Sequence, residues 1–174
     1  MRVAVVAVGD ELLLGDVVNT NLARLGRALA VAGLECVRGV EVGDDPDEVV
    51  LAVRDLLPEV DAVILSGGLG PTSDDRTPDA VRRLAGAGPV RPVPNRVGTA
   101  DGLDVTVDGR RLFAVPGVPA ELDEMVARHV VPELRRLAGD PPPLLTRQLR
   151  VAATGEPAVA RLLVPLEAEL PDGV

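Results

Sequence analysis

Short runs of small aliphatic residues alternate along the first half of the chain with segments whose apolar residues recur at helical spacing. The Val-rich run Arg2 to Val8, ended by Gly9, has the pattern of a parallel strand buried on both faces. Further strands are predicted at Glu35 to Val42 and Asp61 to Ser66, and helices at Thr20 to Ala32, Pro46 to Leu57 and Thr77 to about Leu84. Strands that alternate with helices predict an α/β, three-layer αβα fold around a mainly parallel sheet.

The second half predicts a β-hairpin followed by a long helix. The hairpin strands would be Leu103 to Val107 and Arg110 to Val115, joined by Asp108-Gly109, which is a strong signal for a two-residue turn. A helix from about Ala120 to Leu137 follows, and Pro132 should kink it or start a new turn. The stretch Gly86 to Pro94 carries no periodic pattern.

The prolines at 141 to 143 predict a stiff linker and divide the chain into a domain at 1–140 and a tail at 141–174. In the tail, Arg147 to Ala153 is predicted as a strand and Glu156 to Leu170 as a helix. Such a short αβ tail cannot close a core of its own. It must pack on the main domain or on a partner chain, or be the start of a truncated domain.

Composition narrows the class of ligand. The chain has 174 residues, 47% of them hydrophobic, which suits one core, and its net charge is −9 with one Phe and no Trp or Tyr. Few aromatic rings and an acidic surface exclude a nucleic-acid binder. All 18 basic residues are Arg and none is Lys, which excludes a Walker-type phosphate loop, because that loop needs a lysine. The lack of Lys is explained equally well by adaptation to high salt and by a GC-rich coding bias. The N-terminal apolar run is too short for a signal peptide, so we expect a cytoplasmic protein with no membrane partner.

Two loops at predicted strand ends carry the candidate chemistry, because ligands of open parallel sheets bind beyond the carboxyl ends of the strands. The first begins Gly9-Asp10-Glu11, and the second runs from Gly67 to Asp75. In the second loop, glycines let the backbone approach a phosphate, and the helix opening at Thr77, with its hydroxyl as cap, offers unpaired N–H groups. The candidate phosphate-binding residues are Gly67, Gly68, Gly70, Thr72, Ser73 and Thr77, and the candidate metal ligands are Asp74 and Asp75. The alternative is an ordinary turn whose acids favour the helix dipole.

Other loops supply weaker candidates. Asp44 follows the second strand and can present a carboxylate to the same crevice, although the neighbouring Asp45 before Pro46 is equally a helix cap. Pro116 and Gly117 form a turn that either walls a pocket or merely connects two elements. Cys36 is expected in the core and His129 on the surface, and no Ser-His-Asp or His/Cys metal cluster is present in the sequence.

In this order, the loops resemble the molybdopterin-binding superfamily of MogA and MoaB, and more closely the N-terminal domain of the competence/damage-inducible CinA family. The matching blocks are 8–15 with 19–21, 42–44, 65–77, 94–100 and 115–122. The resemblance implies a crevice for molybdopterin or its adenylylated form in the MogA branch, and metal-dependent hydrolysis of ADP-ribose to AMP and ribose 5-phosphate in the CinA branch. It implies that Asp75 is the essential aspartate and Asp44 the second carboxylate, and that Asn95 and Gly98 contact the ligand.

The resemblance also sets expectations about what surrounds the site. It implies a divalent metal (Mg²⁺, Mn²⁺ or Co²⁺) without an organic cofactor, a homo-oligomer, and a KH-like segment beginning near Leu149. The connector between Leu84 and Pro94 is shorter than in CinA proteins, so part of the usual pocket wall is missing. Because the chain ends at Val174, we expect no C-terminal amidohydrolase domain and no deamidase activity. The sequence therefore leaves three functions open: a nucleotide-diphosphate hydrolase, a pterin adenylyltransferase and a non-catalytic binding module.

Overall fold

The computed structural model describes residues 1–145, 150–152 and 155–167, and it forms a six-stranded sheet between two layers of helices. The strands are β1 (Arg2–Val8), β2 (Glu35–Val42), β3 (Ala62–Ser66), β4 (Arg91–Val93), β5 (Gly102–Val107) and β6 (Arg110–Val115). Their order is β2-β1-β3-β6-β5-β4. The pairs β1–β2, β1–β3 and β3–β6 are parallel, while β5 pairs antiparallel with β6 and with β4. The predicted three-layer αβα fold is confirmed.

The described residues form seven α-helices. They are α1 (Asp10–Leu13), α2 (Asn21–Val31), α3 (Pro46–Leu56), α4 (Thr77–Ala85), α5 (Pro119–Met125), α6 (Val131–Leu137) and α7 (Glu156–Glu167). A 3₁₀ turn at Leu57–Glu59 ends α3, and a π-helical segment at Val126–Val130 joins α5 to α6.

Alternate residues of β1 face two separate apolar clusters, which is why its apolar run is unbroken. Val3 and Val5 face a cluster that includes Leu25 and Leu29 of α2, together with residues of α5, the π-helical segment and α6. Ala4 and the later even-numbered residues of β1 face a second cluster, built mainly with α3 and α4. All of Val3–Val8 are at most 4% exposed. Burial of one such side chain contributes about 1.5–3 kcal/mol, so the sheet centre fixes the fold.

Two features differ from the sequence-based expectation. The Gly86 to Pro94 stretch contains the edge strand β4, which carries two exposed residues and one buried one and so shows no alternation long enough to detect. The predicted single helix from Ala120 to Leu137 contains the π-helical segment, which ends just before Pro132. A proline lacks the N–H that would bond the carbonyl four residues earlier, and this disturbs the α-helical ladder as expected.

The tail is described only in part. The predicted strand at Arg147 to Ala153 lies mostly outside the described residues, and residues 150–152 adopt no strand. The predicted helix is present as α7 from Glu156 to Glu167, and the remainder of the prediction to Leu170 lies outside the described residues. In the described part of the chain, no helix has the length and apolarity needed to span a bilayer.

Candidate functional site

The loop after β1 is fastened to the loop after β2. The Asp10 N–H donates to the Asp44 carboxylate at 3.0 Å, and the Asp44 N–H donates to the Asp10 carboxylate at 3.0 Å. The Gly9 N–H also donates to the Val42 carbonyl at 3.0 Å. Asp44 therefore has a structural partner in Asp10, and the two predicted site residues lie together at the carboxyl ends of neighbouring strands.

The turn after β3 requires glycine at two successive positions. Gly67 and Gly68 have φ angles of +112° and +65°. A Cβ on Gly67 would lie 2.3 Å from the Val8 carbonyl oxygen, and one on Gly68 would lie 2.4 Å from the Thr77 hydroxyl. The space beside these glycines is thus occupied by the protein's own backbone and side chain, so glycine is needed here to bring the turn against β1 and α4.

Thr77 does not cap its helix, which corrects the sequence-based assignment. It is the first residue of α4, is 1% exposed, and its hydroxyl donates to the Gly67 carbonyl at 2.8 Å. Its N–H donates to the Gly68 carbonyl, and the N–H of Asp79 donates to the Arg76 carbonyl. The helix start therefore offers fewer unpaired amides than expected. Within the described residues, the backbone amides of Gly68 and Leu69 are among those of the loop that have no internal acceptor.

Asp75 is the best-held carboxylate of the loop. One of its oxygens accepts from the Thr72 N–H at 2.9 Å and from the Thr72 hydroxyl at 2.5 Å. These bonds, led by the hydroxyl and assisted by the Gly70 amide, hold the pKa of Asp75 below its ordinary value of 3.8. Asp75 is consequently ionised at neutral pH and fixed in orientation, which suits either a metal ligand or a group that positions a water molecule.

The predicted site residues Gly70, Ser73 and Asp74 of this loop are more exposed than Asp75. Asp74 accepts only a long bond, 3.3 Å, from the Ser73 hydroxyl. Gly70 has no positive φ, but a Cβ there would lie 2.6 Å from the Asp75 carboxylate. Gly70 therefore makes room for Asp75, whereas the sequence suggested that it makes room for a ligand.

Asn21 is absent from the sequence-based set of site residues, but in the structure it lines the crevice at the carboxyl ends of the strands. Its side-chain amide donates to the Gly117 carbonyl at 2.7 Å and to the Ser66 hydroxyl at 3.1 Å. This fixes the orientation of the amide, since a carbonyl can only accept. Its side-chain oxygen is enclosed and has no partner among the described residues. The only sequence signal for this role is that Asn21 falls within one of the matching family blocks.

Asn21 lies in a crevice of about 180 Å³ that brings three predicted loops together. The lining includes Glu11 from the first loop, Gly67 from the second and Gly117 from the turn before α5. A ligand pocket that encloses a drug-sized molecule has roughly 300–1,000 Å³. This crevice therefore has the volume for one group of a larger ligand.

Asn95 and Gly98 form a separate, well-bonded turn. The Asn95 side chain donates to Glu121 at 2.6 Å and accepts from the Gly98 N–H at 2.8 Å. A Cβ on Gly98 would lie 2.1 Å from the Glu121 carboxyl group. Asn95 and Gly98 are thus fastened to the start of α5, next to the turn that contains Pro116 and Gly117, and they do not line the crevice.

Across the described ranges, no group of three or more His, Cys, Asp or Glu side chains is placed to hold a metal ion. A divalent ion here would rely on one or two carboxylates together with ligand phosphates and water, which is how Mg²⁺ is usually bound. The residues present fit that mode, with Asp75 and Asp74 as the available ligands.

Two other expectations need correction. His129 is half-buried, not on the surface, and its Nε2 is enclosed without a partner in the part of the chain that is described. Cys36 is also half-buried, beside the core and not within it, and burial raises the pKa of its thiol.

Comparison with known proteins establishes the family. The family described as "Probable molybdopterin binding domain" matches residues 4–136. A CinA-like protein of Frankia casuarinae is 37% identical over 94% of this chain and 47% of its own length. The crystal structure of CinA from Thermoplasma acidophilum, described as of unknown function, is 34% identical with a TM-score of 0.67, covering 72% of this chain and 94% of that one. The chain belongs to the CinA family.

More distant structures share the fold of this CinA-family chain. MoaB of Thermus thermophilus, described as a molybdopterin biosynthesis enzyme, is 24% identical with a TM-score of 0.68, over 80% of this chain and 98% of that one. MogA is 21% identical with a TM-score of 0.66, over 79% of this chain and 99% of that one. The chain spans about half the length of the curated CinA-like relatives that it matches.

Proposed function

We propose that this CinA-family domain binds a nucleotide diphosphate and hydrolyses ADP-ribose with the help of a divalent metal. The observation that carries the proposal is the loop from Gly67 to Asp75. It combines an oriented, ionised carboxylate with the unengaged amides of Gly68 and Leu69, and its first residue, Gly67, lines the crevice. Amides that point away from internal acceptors can bind phosphate oxygens without any lysine.

The charge of the surrounding loops supports the metal requirement. The loops after β1, β2 and β3 present six carboxylates, from Asp10, Glu11, Asp44, Asp45, Asp74 and Asp75. A diphosphate carries negative charge of its own, so a divalent ion between it and these carboxylates would offset the repulsion. When bound, such an ion would neutralise the diphosphate and lower the pKa of a bound water.

Asn21 offers the recognition element. Its side-chain oxygen can accept a hydrogen bond but is enclosed and has no partner among the described residues. A buried acceptor without a donor lowers the stability of the protein by about 1–3 kcal/mol. A ligand hydroxyl or amino group in the crevice would supply that donor. ADP-ribose carries both kinds of group, and so does a pterin.

The test is incubation of purified protein with ADP-ribose and Mg²⁺, Mn²⁺ or Co²⁺, with AMP release measured by chromatography. Asp75→Asn should lower turnover by orders of magnitude, whereas Asp55→Asn, an exposed aspartate on α3, should leave it unchanged. Absence of AMP with every metal would exclude the hydrolase.

Molybdopterin binding, with or without adenylyl transfer, is the second candidate, and it is favoured by the description of the matching family and by the shared fold with MoaB. Titration of molybdopterin should then show binding at micromolar concentration, weakened in Asn21→Leu. A non-catalytic module would instead bind ADP-ribose or molybdopterin equally well in wild-type protein and in Asp75→Asn, with no product formed by either.

A further inference from the structure

A second cavity lies between the antiparallel edge of the sheet and the helical segments that follow α5. It has a volume of about 450 Å³ and shares no lining residue with the crevice. Its polar lining comes from β4, β5 and β6 on one side, through Arg91, Asp104 and Arg111, and from His129 and Glu133 on the other. The loops of the candidate site do not reach it, so the proposed hydrolysis does not account for it.

This cavity concentrates positive charge in an acidic protein. Four of the chain's arginines line it, namely Arg91, Arg111, Arg128 and Arg136, against two carboxylates, Asp104 and Glu133. Arg111 contacts both carboxylates, at 2.5 and 3.5 Å, and Arg136 is bonded to Glu133. Arg91 forms no ion pair within 4.0 Å among the described residues, but its charge acts on both Asp104 and Glu133. Its guanidinium donors are therefore unpaired, while its charge is partly offset.

Enclosed polar atoms without partners belong to the same lining. They are Arg111 Nε, His129 Nε2 and Asp104 Oδ1, each buried and unbonded among the described residues. Leaving such a group unsatisfied costs about 1–3 kcal/mol, so a polar group that bonded to all three atoms would stabilise the protein. Arg111 Nε and His129 Nε2 can donate. Asp104 Oδ1 accepts while its carboxyl group is ionised in the pair with Arg111, although burial raises the pKa of that group.

The helical segment that lines one side of the cavity is not a regular α-helix. Arg128 and His129 belong to the π-helical segment Val126–Val130, and Pro132 lies two residues beyond its end. A π turn carries an extra residue and rotates the side chains that follow it, and such turns occur frequently at functional sites. His129, which the sequence predicts on the surface, lies within this segment and lines the cavity.

We propose that this cavity binds inorganic phosphate in its hydrogen phosphate form. Arg91, Arg111 Nε and His129 Nε2 donate to the phosphate oxygens, and Asp104 Oδ1 accepts from the P–OH group. Arginine matches phosphate geometry and forms charge-assisted hydrogen bonds with it. Asp104 Oδ1 selects against sulfate, because sulfate has no hydroxyl group to donate. A sulfate oxygen and the Asp104 carboxylate are both negatively charged acceptors and would repel each other.

The test is titration of the full chain with phosphate or sulfate at equal ionic strength, at about pH 8, followed by ¹⁵N NMR and calorimetry. A phosphate monoester has its second pKa near 6 and so is included as a third probe that carries no hydroxyl on phosphorus at this pH. We expect saturable phosphate binding with amide shifts at β4, β5 and the π-helical segment. Sulfate and the monoester should bind at least about tenfold more weakly.

Variants separate this site from the crevice. Arg91→Ala should weaken phosphate binding by at least about tenfold, the scale of one charge-assisted bond. Arg27→Ala, an exposed arginine on α2, should not change it. Asp104→Asn should bring sulfate affinity close to phosphate affinity, because an amide can donate to sulfate, and circular dichroism checks that this variant folds. Equal affinity of the wild-type protein for sulfate, an unaffected Arg91→Ala, shifts confined to Gly67 to Asp75, or no saturation by about 20 mM phosphate would each overturn the proposal.

Discussion

Thr77→Val tests whether the buried hydroxyl holds the glycine loop against α4. Thr77 is 1% exposed, and its hydroxyl donates to the carbonyl of Gly67, which is itself buried. Valine keeps the shape of threonine, so the substitution removes the hydrogen bond without opening a cavity. An unsatisfied buried carbonyl costs about 1–3 kcal/mol, and we expect the free energy of unfolding to fall by about 2 kcal/mol.

For a chain of this length, each kcal/mol of destabilisation lowers Tm by about 2–4 °C, so the expected decrease is roughly 4–8 °C. Urea denaturation followed by circular dichroism gives the free energy directly, and calorimetry gives Tm. Thr106→Val is the matched control, because Thr106 is exposed on β5 and its hydroxyl has no partner among the described residues. A loss below about 0.5 kcal/mol in Thr77→Val, the range of ordinary surface substitutions, would show that the hydroxyl does not hold the loop.

Two further predictions concern the same loop. Gly68→Ala should lower the free energy of unfolding by about 1–2 kcal/mol more than Gly109→Ala does, as measured by paired urea titrations. Both glycines have positive φ, but of the two only Gly68 has another side chain where a Cβ would lie. Equal losses would show that the contact with Thr77 relaxes freely. Thr72→Val should raise the pKa of Asp75 towards 3.8, measured by NMR titration of its carboxyl carbon, because the main bond lowering it is lost. Since the folded pKa of Asp75 is lowered, its contribution to stability is present above pH 3.8 and is lost as pH falls through the lowered value, and Thr72→Val should reduce this acid sensitivity. An unchanged pKa in Thr72→Val would refute the assignment.

The sequence by itself determined the layered αβα fold, because the signals involved are local and repeated. The unbroken apolar run of β1 predicts a strand buried on both faces, and the periodic apolar residues of α2 and α3 predict helices that cover it. Asp108 and Gly109 predicted the turn between β5 and β6, and their φ angles of +48° and +79° confirm it. The strand ends then located the loops where the candidate site lies.

What only the tertiary structure decided is which polar atoms meet. Asn21 bonds to Ser66 and Gly117, which are 45 and 96 residues away, and no local pattern encodes such a contact. In the same way, the sequence showed that Gly68 and Gly70 are glycines but not that Thr77 and Asp75 fill the space beside them. Likewise, only the structure shows that His129 lies in a π-helical segment and lines the second cavity. Hydrophobic periodicity depends on neighbours along the chain, whereas hydrogen bonds in a site depend on loops that the sheet brings together, and this is why the fold was predictable and the site geometry was not.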